Sequence, residues 1–381
     1  MKKILFVTHY TGLGGGEIAI VNIAANLDPS RFSAPLLVPA DGQMAERWRS
    51  IGQPVHIIPF RGVTEYFIPA IWTRFPIVGK MEALLRREQI DLVHSDYHAL
   101  PFIQTAAERV GIPSIWTTMG WWTRPKRWQE DLFRRPTETL ALSESVRVGY
   151  VGNPPFMPPE DITVCYPGAD ADRFNPDIDG TRVRFQAGVA QDAPVVALAA
   201  RFQKVKGHEV FQAMARQVAL QIPEARFIVA GENVHGQSGD EAYKQSILKA
   251  AQDDRLLRDR IIYLGFRDDV ERVFAAADVV VCPSQFESYG LSVVEAMASG
   301  KPVVSTRRGG PSETIVHGET GFLVDPGDAE GFARHVIELL RNPELKARMG
   351  AAARARAVEK FSIAAQTATF TRVADRVLGT T

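Results

Sequence analysis

With 381 residues, the chain is more than twice the usual length of one domain, which predicts two. Its 44 Lys and Arg balance 44 Asp and Glu, so no global field draws it to nucleic acid or acidic lipid, and any such attraction must be local. The two cysteines, Cys165 and Cys282, end predicted strands without metal-like spacing and point to a reduced, cytoplasmic protein with no disulfide framework.

The start, MKKILFVTHYTGLGGGE, offers only about four apolar residues before polar and glycine residues intervene, so it reads as a first strand and not a signal peptide. No later stretch approaches the roughly 20 apolar residues of a spanning helix, which leaves peripheral contact as the one expected route to a membrane. Short β-branched runs alternate with amphipathic segments, the pattern of an α/β fold with parallel sheets. KILFVT (3–8) is the first strand, and GLGGGE turns it into a helix over 16–27. Further strands are predicted over 35–38, 55–59, 91–95, 113–118, 139–142 and 162–166. The segment 167–183, rich in Pro, Gly and Asp, reads as a hinge. A second series follows over 193–200, 225–231, 260–265, 278–282, 302–306 and 321–324, so the chain is two Rossmann-like units in tandem. A last helical segment, 363–378, has no following strand.

Between Pro283 and Val304 the chain reads PSQFESYGLSVVEAMASGKPVV. An apolar strand ends at Cys282, a loop carries Glu287, and a helix starts near Tyr289 or Gly290 with Glu295 inside it. Two carboxylates thus flank a helix N-terminus, whose unpaired amides and dipole suit a phosphate.

Glu287 and Glu295 in this 22-residue context resemble the signature of retaining glycosyltransferases of family 4. The resemblance implies the GT-B fold, α/β with two Rossmann-like domains facing each other across a cleft. An acceptor-binding domain would cover 1–178, completed by a C-terminal helix within 363–381, and a nucleotide-sugar donor-binding domain 179–362. The implied enzyme moves a hexose from a nucleotide-sugar, expected to be a UDP-sugar, to a carbohydrate or lipid-linked saccharide, as in polysaccharide or glycolipid biosynthesis. No cofactor and no metal is expected, because the donor phosphate itself accepts the acceptor's proton on the front face and fixed cations hold the leaving charge. Two alternatives share the fold. A non-hydrolysing nucleotide-sugar epimerase lacks the FES-YGL-EAM block, and the intact Arg201, Lys206, Glu287 and Glu295 speak against a non-catalytic GT-B binding protein.

Arg201 and Lys206, five apart in ARFQKVKG, follow the first strand of the second domain, where doubly wound sheets bind ligands. A guanidinium fork and an ammonium suit a diphosphate, and the spacing resembles the family's clamp. By the same resemblance Glu287 faces the donor sugar and Glu295 the ribose hydroxyls. The amides of Ser288, Tyr289, Gly290 and Leu291 meet sugar and phosphate, and the backbone at Gly265 and Phe266 meets the base. The loops at Gly231–Glu232 and 309–324 resemble others that line this pocket, with His317 and Glu319 shaping a turn. Gly14, Gly15 and Gly16 either close on the diphosphate or make the tight strand-to-helix turn of any α/β protein.

One position departs from the family. The strand IPSIWTTMG is often followed there by a sugar-contacting histidine, and Met119 stands in its place, leaving Thr118, Asp96 or His98 to substitute. His94 matches another family histidine but sits at a strand end, where a packed, hydrogen-bonded ring is the simpler reading. On the acceptor side Trp116, Trp121, Trp122 and Trp128 cluster with Arg124, Lys126, Arg127, Arg134 and Arg135, and 65–79 adds an aromatic, apolar loop. Such a patch either stacks sugars at a lipid boundary, on the inner face of a membrane, or is partly core. Nucleic acid is not expected.

Overall fold

The computed structural model describes residues 1–62, 76–120, 126–233 and 238–380. They form two compact units, Met1–Gly168 with Ile363–Thr381, and Ala169–Ser362.

In the first unit the strands are β1 (Lys2–Val7), β2 (Phe32–Ser33), β3 (Leu36–Val38), β4 (Val55–Ile57), β5 (Leu92–Ser95), β6 (Ser114–Thr118), β7 (Glu138–Ala141) and β8 (Ile162–Val164). They pair in the order β4-β3-β1-β5-β6-β7-β8, all parallel, with β2 beside β1. A parallel sheet is covered on both faces, which is why its strands read as unbroken apolar runs. Alternate residues of β1 serve opposite faces: Leu5 and Val7 join one core, Ile4 and Phe6 the other. The helix Ile363–Leu378 completes the second of these cores through Phe370, Val373 and Ala374. Its Gln366 accepts from the Gly168 amide (2.9 Å) and donates to the Ala19 carbonyl (3.1 Å).

The second unit has β9 (Val195–Ala199), β10 (Arg226–Ala230), β11 (Ile261–Gly265), β12 (Val279–Cys282), β13 (Val303–Thr306) and β14 (Gly321–Val324). Their order, β11-β10-β9-β12-β13-β14, is again wholly parallel and reverses direction of growth between β9 and β12. That reversal opens a crevice beyond the carboxyl ends of the two strands. At the opposite end of the same pair, Asp278 accepts from the Val195 amide (2.9 Å), Lys346 (2.6 Å) and Arg184 (3.3 Å). Burial pushes its carboxyl up, and these bonds more than offset that, so it rests below the ordinary carboxylate value.

Three expectations are corrected. Residues 169–178, assigned above to the first domain, pack within the second unit: the Arg354 guanidinium donates to the carbonyls of Ala171, Phe174 and Ala298, and Arg173 pairs with Glu271 at 2.8 Å. Their Pro-, Gly- and Asp-rich composition marks irregular backbone, not the body it packs on. In the predicted loop 65–79, residues 76–79 begin the helix Pro76–Glu88, with Val78 buried, while 63–75 lie outside the described residues. Finally, the helix expected from Tyr289 or Gly290 is Leu291–Ala298, with Gly290 as its N-cap. Among the described residues no helix is long and apolar enough to cross a membrane.

Candidate functional site

At the crevice of the second unit the loops leaving β9 and β12 are tied together. The Gln285 amide donates to the Val205 carbonyl (2.7 Å), and Gly207, at φ +71°, lies so close to Pro283 that an added Cβ would be 2.2 Å from its carbonyl oxygen. This brings Lys206 onto Glu287: Nζ is 2.7 Å from Oε1 and 3.0 Å from Oε2, with both side chains largely buried. Ser284 Oγ donates to the same Oε1 at 2.7 Å. The loop after β13 fixes the backbone, since the Gly310 amide donates to the Glu287 carbonyl (3.0 Å) and Gly309 bridges to Glu287. Cys282 Sγ lies 3.9 Å from Oε1, and burial together with the Glu287 charge pushes its thiol up to about 11, so it is no nucleophile.

Arg201, next after Ala200 beyond β9, is exposed and has no ion pair among the described residues. Arg201 and Lys206 against Glu287 leave one net positive charge, and the helix that follows Glu287 has first amides, at Leu291 and Ser292, with no intrahelical acceptor. An anionic oxygen is the species such a set stabilises. Glu295, on the same helix, has its carboxyl pushed up to about 7, by burial first, with Arg173 opposing and Glu271 adding to the rise. Phe266 projects from the turn after β11 and is 76% exposed, open to stacking. Tyr289 is buried, and Ser288 half-buried.

In the first unit the strand order reverses between β1 and β5, and Asp96 stands there. It is buried and accepts from Thr8 Oγ1 (2.6 Å), the His9 amide (3.1 Å) and the Ala99 amide (2.9 Å). His98 Nε2 lies 2.8 Å from the Tyr10 hydroxyl. Thr118 is buried with its hydroxyl on the Gly120 carbonyl (3.3 Å). Met119 packs on the glycine turn: a Cβ on Gly16 would lie 2.5 Å from its sulfur. Beside it Glu17 accepts the Gly14 amide (3.0 Å), so an anion approaching Gly15 and Gly16 meets a carboxylate at the same helix end.

Two readings resolve as core. His94 is fully buried, bonded to Thr117 Oγ1 at 2.7 Å, and burial holds its ring near pKa 3. Trp116 leaves the aromatic patch: it is 2% exposed and stacks on Phe133 at 4.5 Å, because its strand is covered on both faces. Arg134 and Arg135 are engaged with the Phe156 carbonyl and Glu108, whereas Lys126 and Arg127 are exposed. Trp121, Trp122 and Arg124, and the side chain of Trp128, lie outside the described residues.

Sequence reasoning missed Ser284, the Gly309–Gly310 support and Tyr10. Ser284 was findable, since Ser-Gln-Phe-Glu is the S-x-x-E spacing in which a hydroxyl and a carboxylate meet locally. The other two are contacts between distant segments and leave no local trace.

Comparison with known proteins gives two family matches, Glycosyl transferases group 1 over residues 179–356 and Glycosyltransferase Family 4 over 13–173. The chain is 30% identical to N-acetyl-alpha-D-glucosaminyl L-malate synthase of Bacillus anthracis, over 75% of this chain and 74% of the relative. It is also 30% identical to D-inositol 3-phosphate glycosyltransferase of Streptomyces scabiei, over 78% and 71%. Among solved structures it is similar to Anabaena HepE in complex with UDP, with a TM-score of 0.83 and 24% identity, covering 99% of this chain and 100% of the other.

Proposed function

This chain belongs to the group 1, family 4 glycosyltransferases and has their GT-B fold, and on that premise we propose that it transfers a hexose from a UDP-sugar, with retention, to a carbohydrate or lipid-linked saccharide. One observation carries the reading: at the sheet crossover of the second unit, Lys206 is held on Glu287 shortly before a helix whose start has no side-chain cap, and Arg201, on the same loop as Lys206, is exposed. Cationic tips and amides there take up the charge of the departing diphosphate, while a diphosphate oxygen receives the acceptor's proton. No protein nucleophile and no metal enters the step. The UDP bound to HepE supports UDP as the nucleotide, and the malate and inositol phosphate named for the two relatives support a polar, hydroxyl-bearing acceptor.

Titration calorimetry with UDP tests the donor side through Glu295. In the free protein its carboxyl is pushed up to about 7, yet only the ionised form accepts from both ribose hydroxyls. Raising the pH from 6 to 8 is expected to tighten UDP binding by about tenfold more in the native protein than in Glu295→Gln, where only the ligand's own ionisation remains. Equal pH dependence in the two proteins removes Glu295 from the ribose, and no UDP binding at all removes the proposed donor. The same raised carboxyl sets a stability trend: its burial costs nothing below the ordinary value of 4.5 and is fully felt above about 7, so this contribution falls as pH rises between them.

For the acceptor side we propose peripheral contact with an anionic membrane through Arg124, Lys126 and Arg127 and the neighbouring Trp121 and Trp122, as a lipid-linked acceptor requires. Sedimentation with anionic vesicles is expected to carry the native protein down and to leave the triple variant Arg124→Ala/Lys126→Ala/Arg127→Ala in solution. Native protein that stays in the supernatant discards the membrane reading.

A further inference from the structure

We propose that the second unit carries an anion site at the edge of its sheet, apart from the donor crevice, that takes a phosphate-class ligand, orthophosphate or a phosphomonoester. A cavity of about 310 Å³ opens there, lined by Arg307, Arg334, His317, His335, Asp325 and Asp328. None of Arg201, Lys206, Glu287 or Glu295 lines it, and it rests on β14, the last strand of the sheet.

The nitrogen groups are set in place by the fold. An edge strand has unpaired backbone groups facing outward, and here they are used as anchors. The Leu323 amide donates to His317 Nδ1 at 3.0 Å, so the ring's proton sits on Nε2 as a fixed donor. The Leu323 carbonyl accepts from Arg307 Nη2 at 2.9 Å, and on the inner side the ladder to β13 continues as the Arg307 amide donates to the Val324 carbonyl at 2.6 Å. His335 stacks on Phe322, centroids 4.0 Å apart, with Nδ1 3.2 Å from Glu338. Arg334 is exposed, with no ion pair among the described residues.

Two acids share the lining, each with a partner of its own. Asp328 caps the helix Ala329–Arg341 by accepting the Gly331 amide at 2.9 Å. Asp325 is 80% exposed and 3.7 Å from Arg307, a solvent-screened pair of little strength. His317 is held below its ordinary value by burial first, then by Arg307 and His335. Two guanidinium forks and an imidazole N–H around one cavity match the several acceptor oxygens of a phosphate.

The test is a titration of the full chain with inorganic phosphate, followed by the ring resonances of His317 and His335, each assigned by its Gln variant. The donor crevice is silenced in two independent ways, by saturation with UDP and in Arg201→Ala/Lys206→Ala without UDP, so that failure of the donor reading leaves this test intact. Both histidines are expected to shift with one common Kd, and Arg334→Ala, at an exposed position, to weaken that Kd about tenfold, the loss of one charge-assisted contact. Unmoved resonances overturn the proposal, as does an unchanged Kd in Arg334→Ala.

Discussion

Arg201→Ala is expected to slow nucleotide release from a UDP-sugar by about 10²-fold or more, measured without acceptor, and to leave the melting temperature where it was. Lys206→Ala is expected to slow the same reaction by a similar factor and to melt earlier. The two cations differ in what else they hold. Arg201 is exposed and has no ion pair among the described residues, so its charge is available to a ligand. Lys206 neutralises Glu287, whose side chain is 12% exposed, and its loss leaves that carboxylate, among the described residues, with the Ser284 hydroxyl and the weak Cys282 thiol as side-chain donors. An under-solvated, unpaired charge destabilises the fold, while the negative field it leaves opposes a departing diphosphate. Native turnover in both variants refutes the charge-stabilising role. Early melting of Arg201→Ala instead shows that its effect is structural.

The central parallel strands were legible because they are buried on both faces and therefore written in consecutive Val, Ile, Leu and Ala. β12 and β13 were found in this way, to within a residue of their ends. The two-residue β2 was not, since two residues carry no period. At the site, Glu287, Lys206 and Arg201 were legible as types at a spacing, but the meeting of Lys206 with Glu287 depends on the reversal of strand order between β9 and β12, a property of the whole sheet. The same limit explains Trp116. Its sequence neighbours are aromatic and basic, and only the closure of the core over β6 makes it interior. Residues 169–178 went to the wrong body for the opposite reason, because the Arg354 that holds them lies some 180 positions further along.

Gly309→Ala is expected to lower donor turnover by about 10²-fold or more, although residue 309 carries no functional group. Its φ of +80° is a left-handed conformation that costs an L-residue roughly 1–2 kcal/mol. The greater obstacle is steric, for an added Cβ would stand 1.9 Å from the Glu287 carbonyl oxygen, and neither partner is a flexible side-chain end. The two loops must separate by about an ångström or more, breaking the bond from the Gly310 amide to that carbonyl and shifting Glu287 off Lys206. Gly188→Ala is the control. Its φ of +63° carries comparable backbone strain, but nothing lies within 4 Å of the new methyl, so it is expected to melt slightly earlier with turnover unchanged. If both variants lose turnover equally, the loss follows from general destabilisation. If Gly309→Ala turns over like the native protein, Glu287 does not need its seat against the loop after β13, and the geometry assigned to the donor crevice fails at its centre.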